Sequence, residues 1–105
     1  MNIDLNQQDW KAQLSKDNKA VIIDVRTDEE FNEGHIPGAI QMNIQNTAEF
    51  YEKIKDLDAS TSYYIYCHSG GRSAMAAALF NSSGIHQTYN LLGGISEWEG
   101  EIQTT

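Results

Sequence analysis

From Ser62 to Gly84 the chain passes from strand formers through a glycine-bearing loop into an alanine-rich helix, and this order constrains the fold more than any other feature. Ser62-Tyr63-Tyr64-Ile65-Tyr66 is aromatic and β-branched, which predicts a strand near the centre of a sheet. Ser73-Ala74-Met75-Ala76-Ala77-Ala78-Leu79-Phe80-Asn81 has high helix propensity, and Ser83-Gly84 supplies its stop. The connection from Cys67 to Arg72 therefore lies at the carboxyl edge of a strand, where open α/β sheets form ligand crevices.

The flanking sequence extends this unit into an alternating pattern. Ala20-Val21-Ile22-Ile23-Asp24-Val25 is a short apolar run, as in a parallel strand buried on both faces. Before it, Asn6 is a good helix N-cap, and Trp10 and Leu14 fall on one face of the helix that follows, with Trp10 read as core. Residues 39–42 predict a short strand, and 88–92 a closing one. Thr47 to Leu57 carries Phe50, Ile54 and Leu57 at helical spacing. Strands alternating with helices predict an α/β fold, a parallel sheet covered on both faces.

Cys67 is the only cysteine, and its position suits a thiolate. A free thiol, with pKa about 8.5, is mostly protonated at neutral pH unless positive potential lowers that value. A helix start supplies such potential through unpaired N–H groups and the positive end of the macrodipole. Gly70 and Gly71, lacking a Cβ, let the loop amides converge on the sulfur.

These residues also carry a resemblance. Cys67 to Ser73 resembles the active-site loop of the rhodanese-type sulfurtransferases, C-x-x-G-x-R-S. Ile23-Asp24-Val25-Arg26, then Glu30-Phe31 leading into Gly34-His35-Ile36-Pro37-Gly38-Ala39, resembles two upstream signatures of that family in the right order. Leu91-Leu92-Gly93-Gly94 followed by Trp98 is similar to its closing L-x-G-G-x-x-x-W pattern. The resemblance implies a rhodanese-like α/β fold, a central parallel sheet of about five strands with helices on both faces. It also implies a chemistry in which Cys67 takes a sulfane sulfur from thiosulfate or a persulfide donor. The Cys67 persulfide then passes that sulfur to cyanide or a thiol acceptor.

The site residues divide by task. Cys67 is the candidate catalytic residue. His68 and Ser69 occupy variable positions of the loop pattern and face solvent or substrate; His68, if protonated, would also help keep the sulfur ionised. Gly70, Gly71 and Ser73 shape the loop around the sulfur. Arg72 either contacts an anionic donor or is drawn inward by a carboxylate; the reading favours the second, with Glu30 as partner. Asp24 and Arg26, two residues apart at a strand end, point to one face and organise neighbouring loops. His35 is read as a structural hydrogen bonder, and His86 as surface. Three histidines and one cysteine tens of residues apart form no zinc pattern, so no metal or other cofactor is expected.

Seven Lys and Arg stand against fifteen Asp and Glu, a formal net charge of −8. That balance opposes binding to a phosphate backbone, so nucleic acid is not an expected partner. It keeps the surface solvated and would favour a basic protein partner over an anionic small molecule. A length of 105 residues suits a single domain, 1–105, with 101–105 as a frayed tail. The amino terminus has neither a basic nor an apolar signal region, and no apolar run approaches 18 residues. With the lone cysteine, these features predict a cytoplasmic, membrane-free setting.

Two other readings remain. Strand, cysteine loop, arginine and helix also resemble the cysteine-dependent phosphatases and arsenate reductases. Their C-x-x-x-x-x-R loop holds one more residue than the four between Cys67 and Arg72, so the shorter loop favours a single sulfur atom over a tetrahedral oxyanion. A binding module keeping the fold without turnover is a further class. In its milder form, Cys67 carries a persulfide between protein partners.

Overall fold

The computed structural model describes residues 2–104. Five parallel strands form one sheet in the order β1-β5-β4-β2-β3. The strands are β1 (Asn2–Leu5), β2 (Val21–Asp24), β3 (Ile40–Gln41), β4 (Tyr63–Tyr66) and β5 (Thr88–Leu91). Four helices alternate with them: α1 (Gln7–Lys16), α2 (Asp28–Glu33), α3 (Thr47–Lys55) and α4 (Gly71–Ser82), and a 3-10 turn follows at Ile95–Glu97. β4 occupies the centre, as the run of aromatic residues predicts.

The period of two along β4 divides the core. Tyr63, Ile65 and Cys67 pack with Phe50 and Ile54 of α3 and Ala76, Ala77 and Phe80 of α4. Tyr64 and Tyr66 face the other way, onto Trp10 of α1. Trp10 is fully buried, meets Tyr64, Tyr66 and Trp98 edge-on, and donates its indole N–H to the Tyr89 carbonyl at 3.0 Å. Helices thus cover both faces. Asn6 caps α1 by accepting from the Asp9 amide at 2.8 Å. No helix among the described residues is long and apolar enough to cross a membrane.

Within the expected tail, residues 101–105, the backbone of one residue is tied down. Gln103 makes an isolated antiparallel bridge to His35, with backbone hydrogen bonds of 2.8 and 2.9 Å. Composition could not show this, because the bridge uses main-chain groups that every non-proline residue carries. Thr105 lies outside the described residues.

Candidate active site

β4 ends at Tyr66 and α4 begins at Gly71, so the loop between them brings Cys67 up to a helix N-terminus. Gly70 is the N-cap with φ 114°, a backbone conformation that favours glycine, and its N–H donates to Cys67 Sγ at 3.0 Å. Gly71 differs from the sequence reading: its φ is negative and a Cβ there would meet open space, so the curl of the loop rests on Gly70. Cys67 is only 1 % exposed. Burial pushes its pKa up, but the Ser73 hydroxyl and the amides of Ser73, Gly70 and Ser69 outweigh that, leaving it below the ordinary thiol value. His68 and Ser69 are exposed beside it.

Arg72 is paired with a carboxylate of α2. Its two terminal nitrogens donate to the two carboxylate oxygens of Glu30 at 2.7 and 2.8 Å, a bidentate pair. Glu30 is itself fixed by a capping box. Thr27 Oγ1 accepts from the Glu30 amide, and the Glu30 carboxylate accepts from the Thr27 amide. Arg72 foremost, with these Thr27 bonds, outweighs burial and holds the Glu30 carboxyl down at about 2, against an ordinary value of 4.5. A depressed carboxyl contributes stability above its unfolded pKa and loses it as pH falls through the folded value. The protein should therefore lose stability between about pH 4.5 and pH 2 through this group. Both side chains are near one-third exposed, so the effect is about 1 kcal/mol after solvent screening. Urea midpoints measured across that window check it, and Arg72→Ala should flatten the slope.

Behind the loop lies a buried polar network. Arg26, 5 % exposed, is paired with fully buried Asp24 at 2.7 Å and donates to the Gly34 carbonyl at 2.6 Å. Tyr66 OH donates to Asp24 Oδ2 at 2.6 Å and accepts from the Ile36 amide at 3.0 Å. Burial, together with Asp24, raises the Tyr66 pKa well above its usual value. His35 stacks on Phe31 with ring centres 3.9 Å apart, and its Nδ1 lies 3.0 Å from the Phe31 carbonyl oxygen. The network joins the ends of β2 and β4 to the turn after α2. Beside it, Arg26, Glu30, Glu33, Gly34, His68 and Ile95 help line a cleft of about 480 Å³.

The closing Gly-Gly segment caps the loop from the other side. Ile95 N–H donates to the Cys67 carbonyl at 3.0 Å and Ser96 N–H to the His68 carbonyl at 2.9 Å. Gly94 has φ 59° and ψ −162°, and a Cβ there would lie 2.4 Å from the His68 oxygen and 2.6 Å from the Cys67 oxygen. Gly94→Ala should cost about 1–3 kcal/mol from the backbone alone. It should also push the loop away from residues 94–96. Thermal melting reads the first effect, and loss of the depressed Cys67 pKa the second.

The structure brings Cys67, Gly70 and Ser73 into direct contact and sets Arg72 and Glu30 one step out. Asp24, Arg26 and His35 form the support behind them, with no hydrogen bond to the sulfur. Sequence reasoning missed Thr27, Tyr66 and Asn90. The first carried a usable signal, since Thr27-x-x-Glu30 is a capping-box pattern.

A lone buried thiol at the carboxyl edge of a five-stranded parallel sheet, on a loop of four residues that ends at an arginine, defines an α/β domain with one cysteine at a helix N-terminus. The family model "Rhodanese-like domain" matches residues 7–101, and the chain belongs to the rhodanese-like domain family. It is 34% identical over 87 residues to the thiosulfate sulfurtransferase GlpE of Shewanella oneidensis, covering 83% of each chain. It is 30% identical over 100 residues to a Bacillus subtilis protein named "Putative sulfur carrier protein YrkF". That match covers 95% of this chain but spans only about half, 52%, of the relative. The crystal structure of a rhodanese-like domain protein from Staphylococcus aureus superposes with a TM-score of 0.84, at 28% identity and 98% coverage of both chains.

Proposed function

We propose that this protein is a sulfurtransferase that moves a sulfane sulfur through a persulfide on Cys67. The observation that carries the reading is the Cys67 sulfur itself. It is the only thiol, it lies below its ordinary pKa, the Gly70 amide donates to it at 3.0 Å, and the Ser73 hydroxyl stands 3.5 Å away.

In the first half-reaction the Cys67 thiolate attacks the outer sulfur of thiosulfate. The S–S bond of the donor breaks, sulfite leaves with its electron pair, and Cys67 becomes a persulfide. In the second, cyanide or a thiolate attacks the terminal sulfur. The new S–S bond breaks, its electrons return to Cys67 Sγ, and thiocyanate or an acceptor persulfide departs. Each half-reaction is a displacement at sulfur, so neither calls on a metal or other cofactor. The same donors that hold the thiolate stand where negative charge collects on the persulfide. Arg72, with both terminal nitrogens on Glu30, braces the loop, while His68 and Ser69 at its exposed rim sort donors and acceptors. Asp24, Arg26 and His35 hold that loop's support in place. The short loop disfavours phosphatase or arsenate reductase chemistry, since four residues between Cys67 and Arg72 leave less room for an oxyanion.

A second reading, a persulfide carrier acting with a protein partner, is favoured by the net charge of −8, which suits a basic partner better than anionic thiosulfate. In either case the rhodanese-like domain works in a reducing, cytoplasmic setting. The test is intact mass after incubation with excess thiosulfate or, separately, a protein persulfide, followed by removal of the donor. One added sulfur, mapped to Cys67 and reversed by cyanide or a thiol, supports transfer. Charging by the protein donor alone favours the carrier, and no gain with either donor sinks both readings.

A further inference from the structure

Ser73 is fully buried, and its single hydroxyl proton has three acceptors within reach. Oγ lies 3.5 Å from Cys67 Sγ, 3.1 Å from the Gly70 carbonyl oxygen and 2.5 Å from Asn90 Oδ1. One proton cannot serve all three, and the closest acceptor is the Asn90 oxygen. The orientation of that amide is fixed from outside. Asn90 is 3 % exposed, and its Nδ2 donates at 3.0 Å to Oδ1 of Asp4 in β1, at the sheet edge beside β5. A carboxylate only accepts, so the amide nitrogen must face Asp4 and the oxygen must face Ser73.

We propose that Asn90, oriented by Asp4, is a positioning residue that draws the Ser73 hydroxyl proton away from Cys67 and so restrains ionisation of the sulfur. While Cys67 is a thiol, its S–H can donate to the Ser73 oxygen, which leaves the Ser73 proton to Asn90 and gives a chain of bonds from Cys67 to Ser73 to Asn90. When Cys67 loses its proton to solvent, the Ser73 hydroxyl must swing from Asn90 to the sulfur or leave the thiolate one donor short. Ionisation thus costs the Ser73–Asn90 bond. The other charged groups near the sulfur are already committed: Arg72 of α4 to Glu30 of α2, and Asp24 at the end of β2 to Arg26. His68 stands next in the loop. This role rests on the sulfur chemistry proposed for Cys67, but it is read from the thiol alone.

With one cysteine, ultraviolet absorbance of the thiolate against pH, using Cys67→Ser as baseline, gives the midpoint directly. Asn90→Leu replaces the amide with a side chain of similar shape that accepts nothing. Freed, the Ser73 proton goes to the thiolate, and the midpoint should fall by about one pH unit, the scale of a hydrogen bond to a charged group. Asp4→Asn lies two bonds away from Ser73 at an exposed position. Its side chain can donate to Asn90 and let that amide turn its nitrogen toward Ser73, so the midpoint should also fall, by less. Asp9→Asn removes the same charge from outside the chain of bonds and should leave the midpoint in place. A midpoint unmoved or raised in Asn90→Leu overturns the inference. If that variant does not fold, an unmoved midpoint in Asp4→Asn overturns it equally. If wild type gains no sulfur from any donor while these midpoints fall, the sulfur-carrier reading fails and the positioning role stands.

Discussion

Cys67→Ser is expected to fold as the wild type does and to lose sulfur transfer by at least about a thousandfold, the scale on which losing a covalent nucleophile is felt. Serine fits the same space, and its hydroxyl can accept from the Gly70 amide as the sulfur does at 3.0 Å. What it cannot do is ionise. A hydroxyl with no adjacent base stays protonated at neutral pH, whereas this thiol is held below its ordinary value by its donors. Thiocyanate formation and intact mass read the loss, and circular dichroism with thermal melting reads the retained fold. A serine variant that still turns over thiosulfate would move the chemistry off Cys67.

Asp24→Ala should be the most destabilising single change near the site. It strips the carboxylate from a guanidinium only 5 % exposed and from the Tyr66 hydroxyl at once. Breaking a buried pair from one side leaves an uncompensated charge, at a cost of about 3–5 kcal/mol. For a domain of this size that lowers Tm by more than about 10 °C. Asp24→Leu combined with Arg26→Met should recover part of the loss, because replacing both partners avoids the stranded charge. Urea midpoints for the three variants check this ordering. An Asp24→Ala protein as stable as wild type would mean that Arg26 reaches water.

How far the sequence revealed all this depends on whether the information was local. Tyr63–Tyr66 and Val21–Asp24 were legible as strands because both faces of each are covered, leaving continuous apolar runs. The Arg72–Glu30 partnership was legible because the two residues fall in separate signatures and have matching chemistry. β1 was not legible: Asn2–Leu5 alternates polar and apolar residues over only four positions and becomes a strand by pairing with β5, across 86 residues of sequence. Asn90 was missed for a related reason. An asparagine in a strand pattern reads as an exposed polar position, and only the folded sheet brings it between Ser73 and Asp4. The demand on Gly94 was visible as a motif, but its cause, two carbonyl oxygens less than 3 Å from any Cβ, is purely tertiary.

The strand order has a consequence for how the protein is made. β5, the fifth strand in chain order, lies between β1 and β4, so among the described residues β1 has no neighbour in the sheet except β5. Until β5 is in place, β2, β3 and β4 can pair among themselves, but β1 has no strand to join and its backbone groups stay unmatched. Sheet closure is therefore a late, long-range event of the kind that slows folding and leaves strand edges open to chaperones or to stray pairing. A nascent chain that stalls before Thr88 lacks an interior strand rather than a dispensable edge.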